Sequence, residues 1–445
     1  YINDIGDDLM NNHMDIPWHE YTKVDSKIKI EDASLTEKSS VIGRIGLMLL
    51  ACGTGAWRVR SSMNTIASEL NITCIADIGL TNISYTCIDG IDSHAQSLSL
   101  HNTSVNTSKL ARMEDFVYHF KDECKTCTCS EIHDQLDQIE NIHSSYSPII
   151  LGLAAALACS CFTFLLGGGM IEMLCAFVGA GLGNTLRMKL IKHNYTLFLN
   201  VAASVSLACL AYALLFNFLE TCFGISTQHE AGYICSMLFI IPGFPFITSG
   251  IDLAKLDLRS GIERLAYAII IILAATLTAW ICALVLHLQP VDFVKLHIST
   301  PTKFLLRLLT SFGGVFGFSI MFNSSKKIAA SAGCIGAIAN TLRLTLVDMA
   351  LPAAAAAFIG ALTAGLLASM IKGNTGYPRI AVTVPSIVIM VPGLYMYRAI
   401  YNLELTSTMS IGANWLIQSL LIVLALPMGL IFARILTDPS FRYCT

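Results

Sequence analysis

The feature that most restricts this chain is a succession of apolar runs long enough to cross a bilayer. About 20 helical residues span the hydrocarbon core. Such runs fall near 148 to 166, 169 to 186, 195 to 219, 231 to 251, 265 to 287, 304 to 322, 328 to 343, 349 to 371, 380 to 400 and 412 to 434. The composition agrees: of 445 residues, 54% are hydrophobic and 13% charged, with a mean hydropathy of +0.63. That balance is too apolar for a soluble globular chain. The expected fold is a polytopic α-helical membrane protein with about ten transmembrane helices, behind an N-terminal soluble α/β domain.

The polar part is confined to the start. Residues 1 to 147 carry 21 Asp/Glu and 11 Lys/Arg, whereas the remaining 298 carry 10 and 17. An acidic domain does not suit nucleic acid. The expected division is therefore 1–147 as the N-terminal domain, 148–288 as a first five-helix unit, 289–303 as a connecting loop and 304–436 as a second five-helix unit. The chain opens on YINDIGDDLMNN without a Met or a signal peptide, which suggests that the natural start lies further upstream. Within the domain, apolar residues spaced three or four apart predict a helix over 41 to 70, loosened at Gly53 and Gly55. Short runs rich in Ile, Thr and Tyr predict strands at 72 to 78, 82 to 88 and 94 to 100, followed by helices at about 108 to 122 and 130 to 144. Cys124, Cys127 and Cys129, with His119 and His133, have donor types that suit zinc, but a second paired knuckle is missing and a reduced surface is the plainer reading. No metal and no cofactor is expected.

Lys and Arg fix the orientation. With the N-terminus inside, inner loops and tail hold twelve: Arg187, Lys189, Lys192, Lys255, Arg259, Arg264, Lys326, Lys327, Lys372, Arg379, Arg434 and Arg442. The outer side holds five: Lys295, Lys303, Arg307, Arg343 and Arg398. The bias places both termini in the cytoplasm of a multi-pass plasma (inner) membrane protein.

Two motifs occur twice in the same order. GLGNTLRMKL at 181–190 matches AIANTLRLTL at 337–346, an offset of 156; FIIPGF at 239–244 matches VIMVPGL at 388–394, an offset of 150. Each half therefore reads as one copy of a five-helix unit. Five is odd, so the second copy enters the membrane from the opposite side, which is the inverted repeat of secondary transporters. Arg187 then falls at the inner surface and Arg343 at the outer one, as gating or topology residues.

Pro242-Gly243 and Pro392-Gly393 each sit in mid-span. Proline removes a donor and glycine relaxes φ, so each helix should break and free backbone groups that lipid cannot satisfy. A plain proline kink is the alternative, but matched breaks in both halves favour a site near the midplane. Thr248, Ser249 and Asp252 after the first break, and Tyr395 after the second, are candidate contacts for a small amino acid. Its carboxylate suits a helix N-terminus or an arginine, and its ammonium suits carbonyls or a carboxylate. Asn184 and Asn340 are further candidates, with interhelical packing as their other role. Glu172 and Asp252 are candidate proton carriers, since burial raises a carboxyl pKa towards neutrality. Glu172 also lies close to a helix start, where interfacial water would reach it.

GTGAWRVRSSMNTIASELNI (53–72), PGFPFITSGIDLAKLDLRSGIERL (242–265), GAIANTLR and VPGLYMY resemble the threonine/serine exporter family, ThrE. The resemblance extends over most of the chain. It implies ten membrane helices, a cytoplasmic N-terminal domain, and export of L-threonine and L-serine driven by proton-motive force. Related split members imply a dicarboxylate as the other substrate class. A hydrolase-like role implied for the N-terminal domain finds no G-x-S-x-G or H-E-x-x-H here. Two further classes, a membrane-embedded enzyme and a sensor with 1–147 as output domain, lack support. The histidines lie in the N-terminal domain or near helix ends, and neither class requires matched breaks. The expected partners are an amino-acid substrate, protons and the lipid bilayer; a homo-oligomer is compatible with the sequence.

Overall fold

The structure is a computed structural model that describes residues 16–21, 28–101, 103–142, 146–224, 231–288, 292–294, 296–375, 379–404 and 408–442. The opening stretch 1–12, Lys295 and part of the connecting loop lie outside them. The chain divides into two compact units, Tyr1–His143 and Ser144–Thr445.

The first unit begins with helix α1, Leu35–Ala51. Its start is fixed by a capping box: Ser34 Oγ accepts from Glu37 N at 3.4 Å, and Glu37 Oε2 accepts from Ser34 N at 3.0 Å. Such a cap is worth about 1 kcal/mol. The single helix expected over 41 to 70 is two helices, because Gly53 turns the chain at φ +80°, a conformation that a Cβ disfavours. Helix α2, Ala56–Glu69, starts three residues later. Strands β1 (Thr73–Ile78), β2 (Asn82–Asp89) and β3 (Asp92–Ser99) form an antiparallel sheet in that order. Ile83, Tyr85 and Cys87 of β2 face the core, and Tyr85 donates to Ser39 O of α1 at 2.8 Å. Helices α3 (Thr107–Glu123) and α4 (Cys129–Glu140) complete the unit. The three cysteines do not converge: Cys124 donates to Gln135, Cys127 to Glu123 O and Cys129 to Glu37 O.

A buried polar knot joins α1 to α4. Arg44, 2% exposed, is ion-paired with Asp137 and with Glu140 at 2.7 Å. His133 lies 3.1 Å from Ser40 Oγ, with its ring stacked on Trp18. Burial, reinforced by the Arg44 and His19 charges, pushes the His133 pKa down to about 3. Because the folded value is depressed, the neutral ring is favoured and its contribution is complete above the unfolded pKa of about 6.5. That contribution falls away as pH drops from there towards 3, at about 1.4 kcal/mol per pH unit. Hydrogen exchange on 129–140 in the full protein, corrected for its intrinsic pH dependence, should show protection falling between pH 6.5 and 5. His133→Asn should flatten that dependence, and equal slopes in both proteins would contradict the assignment.

The second unit is helical. Its elements are α5 (Pro148–Leu165), α6 (Met170–Lys192), α7 (Leu197–Phe223), α8 (Tyr233–Ser236) with a 3-10 turn at Leu238–Ile240, α9 (Gly243–Ala254) and α10 (Leu258–Leu286). There follow α11 (Thr300–Met321), α12 (Lys326–Asp348), α13 (Ala353–Thr375), α14 (Arg379–Val388), α15 (Gly393–Glu404) and α16 (Met409–Thr437). Among the described residues, seven helices are long and apolar enough to cross a membrane, and nine spans result if each bent pair counts as one. Helix α6 falls outside that set; it carries Glu172, Arg187, Lys189 and Lys192 along its 23 residues. Ile262, Ile269, Leu273, Leu277, Ile281 and Leu284 of α10 are exposed, as are Ile417, Leu420, Leu421, Leu424 and Phe432 of α16. In water such faces would drive association; in lipid they meet their solvent.

Candidate functional site

Each proline-glycine pair interrupts a span. The segment Tyr233–Ile240 meets Gly243–Ala254 at a bend of 52°, and Arg379–Val388 meets Gly393–Leu403 at 48°. The backbone turns tightly at both: Gly243 N donates to Ile241 O at 2.8 Å and Gly393 N to Val391 O at 2.9 Å. Both breaks are buried and pack on each other. A Cβ at Gly243 would lie 3.1 Å from Val388 and 3.3 Å from Val391. One at Gly393 would lie 3.0 Å from Leu238 and collide with Ile241. Val388 and Val391 stand 150 residues after Leu238 and Ile241, the offset of the Pro-Gly motif itself. The contact is therefore reciprocal. Tyr233 and Tyr397 strengthen the crossing with buried hydroxyls 2.6 Å apart.

The Asn-Thr-Leu-Arg motif lies against the break of its own half. In the first half, Arg187 Nη1 donates to Phe239 O, three residues before Pro242, at 3.4 Å. In the second, Arg343 lines a cavity of about 650 Å³ together with Ile389, Met390, Pro392, Gly393 and Tyr395. That volume is within the usual range of small-molecule sites. Asn184 and Asn340 do not reach the cavity; Asn184 Nδ2 donates to Leu151 O at 2.8 Å and Asn340 Nδ2 to Ser311 Oγ at 2.9 Å. Each asparagine thus ties its helix to the first helix of its own half.

The other expected contacts divide in the same way. Tyr395 lines the cavity, with its ring edge-on to Trp415 at 4.8 Å. Thr248 is turned back on its own helix and donates to Phe244 O at 3.0 Å, and Ser249 donates to Gly261 O at 2.8 Å. Asp252 is wholly buried, accepts from Ser260 Oγ at 2.9 Å and pairs with Arg264 Nε at 3.3 Å. Ser249 and Asp252 thus clamp the corner between α9 and α10, whereas Thr248 stays on its own helix. Nearby, Lys255 Nζ donates to Phe441 O at 2.7 Å, and both Lys255 and Arg434 stand over the Phe441 ring. Glu172, also wholly buried, accepts from Gly169 N at 2.9 Å at the start of α6.

Several cavity residues had no place in the motif analysis. Lys303 and Arg307 of α11 share Asp348, at 3.2 and 2.5 Å, and Arg398 pairs with Asp292 at 2.7 Å while standing over Trp415. Among the described residues, Lys303, Arg307, Arg343 and Arg398 line the cavity against one lining carboxylate, Asp292. Arg343 has no carboxylate partner among the described residues. Cations within apolar segments were the available signal; their convergence from three helices was not readable.

Long apolar helices, two broken spans that cross, and a charged cavity at one break define a multi-pass membrane protein of the transport class. A family model described as "Putative threonine/serine exporter" matches residues 40–286, and a second, "Threonine/Serine exporter, ThrE", matches 307–436. A protein of Mycobacterium tuberculosis (strain ATCC 25618 / H37Rv) named "Probable threonine/serine exporter" is 21% identical over 432 residues, covering 93% of this chain and 79% of that protein. No solved structure matches. The chain belongs to the threonine/serine exporter family, with both parts fused in one polypeptide. Membership suggests amino-acid export across a membrane.

Proposed function

We propose that this protein exports L-threonine and L-serine from the cytoplasm by alternating access, in exchange for protons. The observation that carries the reading is the reciprocal packing of the two breaks, Gly243 on Val388 and Val391 and Gly393 on Leu238 and Ile241. A pseudo-two-fold axis through that crossing is what an inverted five-plus-five repeat requires, with α6 as the span that polar residues hide from a hydropathy test. The matched element order supports it: α5 to α10 runs long, long, long, broken, long, and α11 to α16 repeats this. Both termini then face the cytoplasm, residues 1–147 form a cytoplasmic domain, and the cavity faces outward.

In this reading Glu172 is the proton carrier, a buried carboxylate on the helix that also bears Arg187. Purified protein in proteoliposomes should show counterflow of labelled threonine and serine, accelerated by an imposed proton gradient. Glu172→Gln should keep counterflow but lose the response to the gradient. Absence of counterflow from the wild type would remove the transport reading, and an unchanged gradient response in the variant would remove Glu172. The cation excess of the cavity favours a second substrate class in the same fold, a dicarboxylate, which competition in the same vesicles would separate.

A further inference from the structure

We propose that Arg187 and Arg343 are a matched pair of carboxylate anchors that exchange roles as the site moves between faces. The inference rests on the inverted-repeat transport reading above. The two residues are equivalent by the 156-residue offset of Asn-Thr-Leu-Arg, yet their surroundings differ. Arg187 is engaged with the Phe239 carbonyl, which the break has released from helical pairing. The residue equivalent to Phe239 by the 150-residue offset is Ile389, and Ile389 lines the cavity beside Arg343. Arg343 makes no hydrogen bond or ion pair with a described residue, whereas the three other cavity cations each hold a carboxylate.

One arginine is thus latched to the carbonyl before its break while its counterpart stands open to a cavity. A guanidinium offers a planar pair of donors that fits a carboxylate bidentately. The start of α15, Gly393 to Tyr395, lines the same cavity and adds the partial positive charge of a helix N-terminus. In the opposite state Arg343 latches to the Ile389 carbonyl, and Arg187 is released to a cavity on the other face. Each latch closes one half when no carboxylate competes for it. Other cavity cations contribute long-range charge, but their own carboxylates occupy them.

The test uses the full chain in proteoliposomes of known orientation, with KM measured from each face. L-serine is compared with serinamide, which lacks the carboxylate. In the wild type serinamide should not compete. Arg343→Gln should raise the serine KM about 10- to 100-fold at the face that bears this cavity, and Arg187→Gln should do so at the other face. Arg343→Lys keeps charge without the bidentate fork and should fall between; it decides the matter if the glutamine variant is not monodisperse. Unchanged KM values, equal rises at both faces in both variants, or competition by serinamide in the wild type would overturn the inference. Wild-type vesicles without serine or threonine counterflow would instead overturn the transport reading on which it stands.

Discussion

Leucine in place of Gly393 should lower counterflow at least tenfold while leaving a folded protein. A Cβ there already collides with the end of Ile241 and stands 3.0 Å from Leu238, so a full leucine must force the two broken spans apart. Overpacking of this kind costs about 1–3 kcal/mol, which a bundle of this size tolerates because flexible side-chain ends can yield. In the proposed alternating-access cycle, the same energy placed on the step that moves one half against the other corresponds to about a 10- to 100-fold loss of rate. Gly243→Leu should behave alike, since its Cβ meets Val388 and Val391 at 3.1 and 3.3 Å. Trimming the opposing side chain, as in Gly393→Leu with Ile241→Ala, should recover part of the flux. Wild-type flux in both single variants would mean that the crossing has no part in the cycle.

The second large effect concerns stability. Asp252→Ala should destabilise the membrane unit by about 3–5 kcal/mol, the cost of stranding a buried charge. Arg264 is 3% exposed, and its Nε bonds Ser260 Oγ at 3.1 Å, which in turn donates to Asp252. Removing the carboxylate takes away the buried counter-charge that stands 3.3 Å from Arg264 Nε. Arg264→Met alone should cost a similar amount, and the double variant Asp252→Leu with Arg264→Met should be markedly more stable than either single one, because no unpaired charge remains. Thermal unfolding in detergent reads all three. Additive losses in the double variant would show that the two residues are not coupled.

How much of this was legible depends on the range over which each feature is determined. Strands β1 to β3 lie at 73–78, 82–89 and 92–99, within two residues of the runs read at 72 to 78, 82 to 88 and 94 to 100, because alternation and β-branched residues are local signals. The helix expected over 41 to 70 divides at Gly53 since one left-handed residue outweighs an otherwise continuous apolar stripe. Both Pro-Gly breaks stand where the motif placed them, for the same local reason. The substrate list fared differently. Asp252, Ser249 and Thr248 follow a break in sequence, yet α9 turns the first two into the α10 corner and the third bonds back to its own helix. Lys303, Arg307 and Arg398 reach the cavity from helices whose proximity is tertiary, and no spacing rule could assemble them.

The crossing of Gly243 and Gly393 carries a consequence for how such a chain can change over generations. Each glycine is hemmed in by two residues of the other half, so a larger side chain at 238, 241, 388 or 391 restricts what its opposite number can become. In the proposed inverted repeat, two copies of one unit would be expected to drift apart once each has its own role. Here the pairs 243 with 388 and 391, and 393 with 238 and 241, should co-vary across relatives, and the two halves should diverge everywhere more freely than at this shared seam.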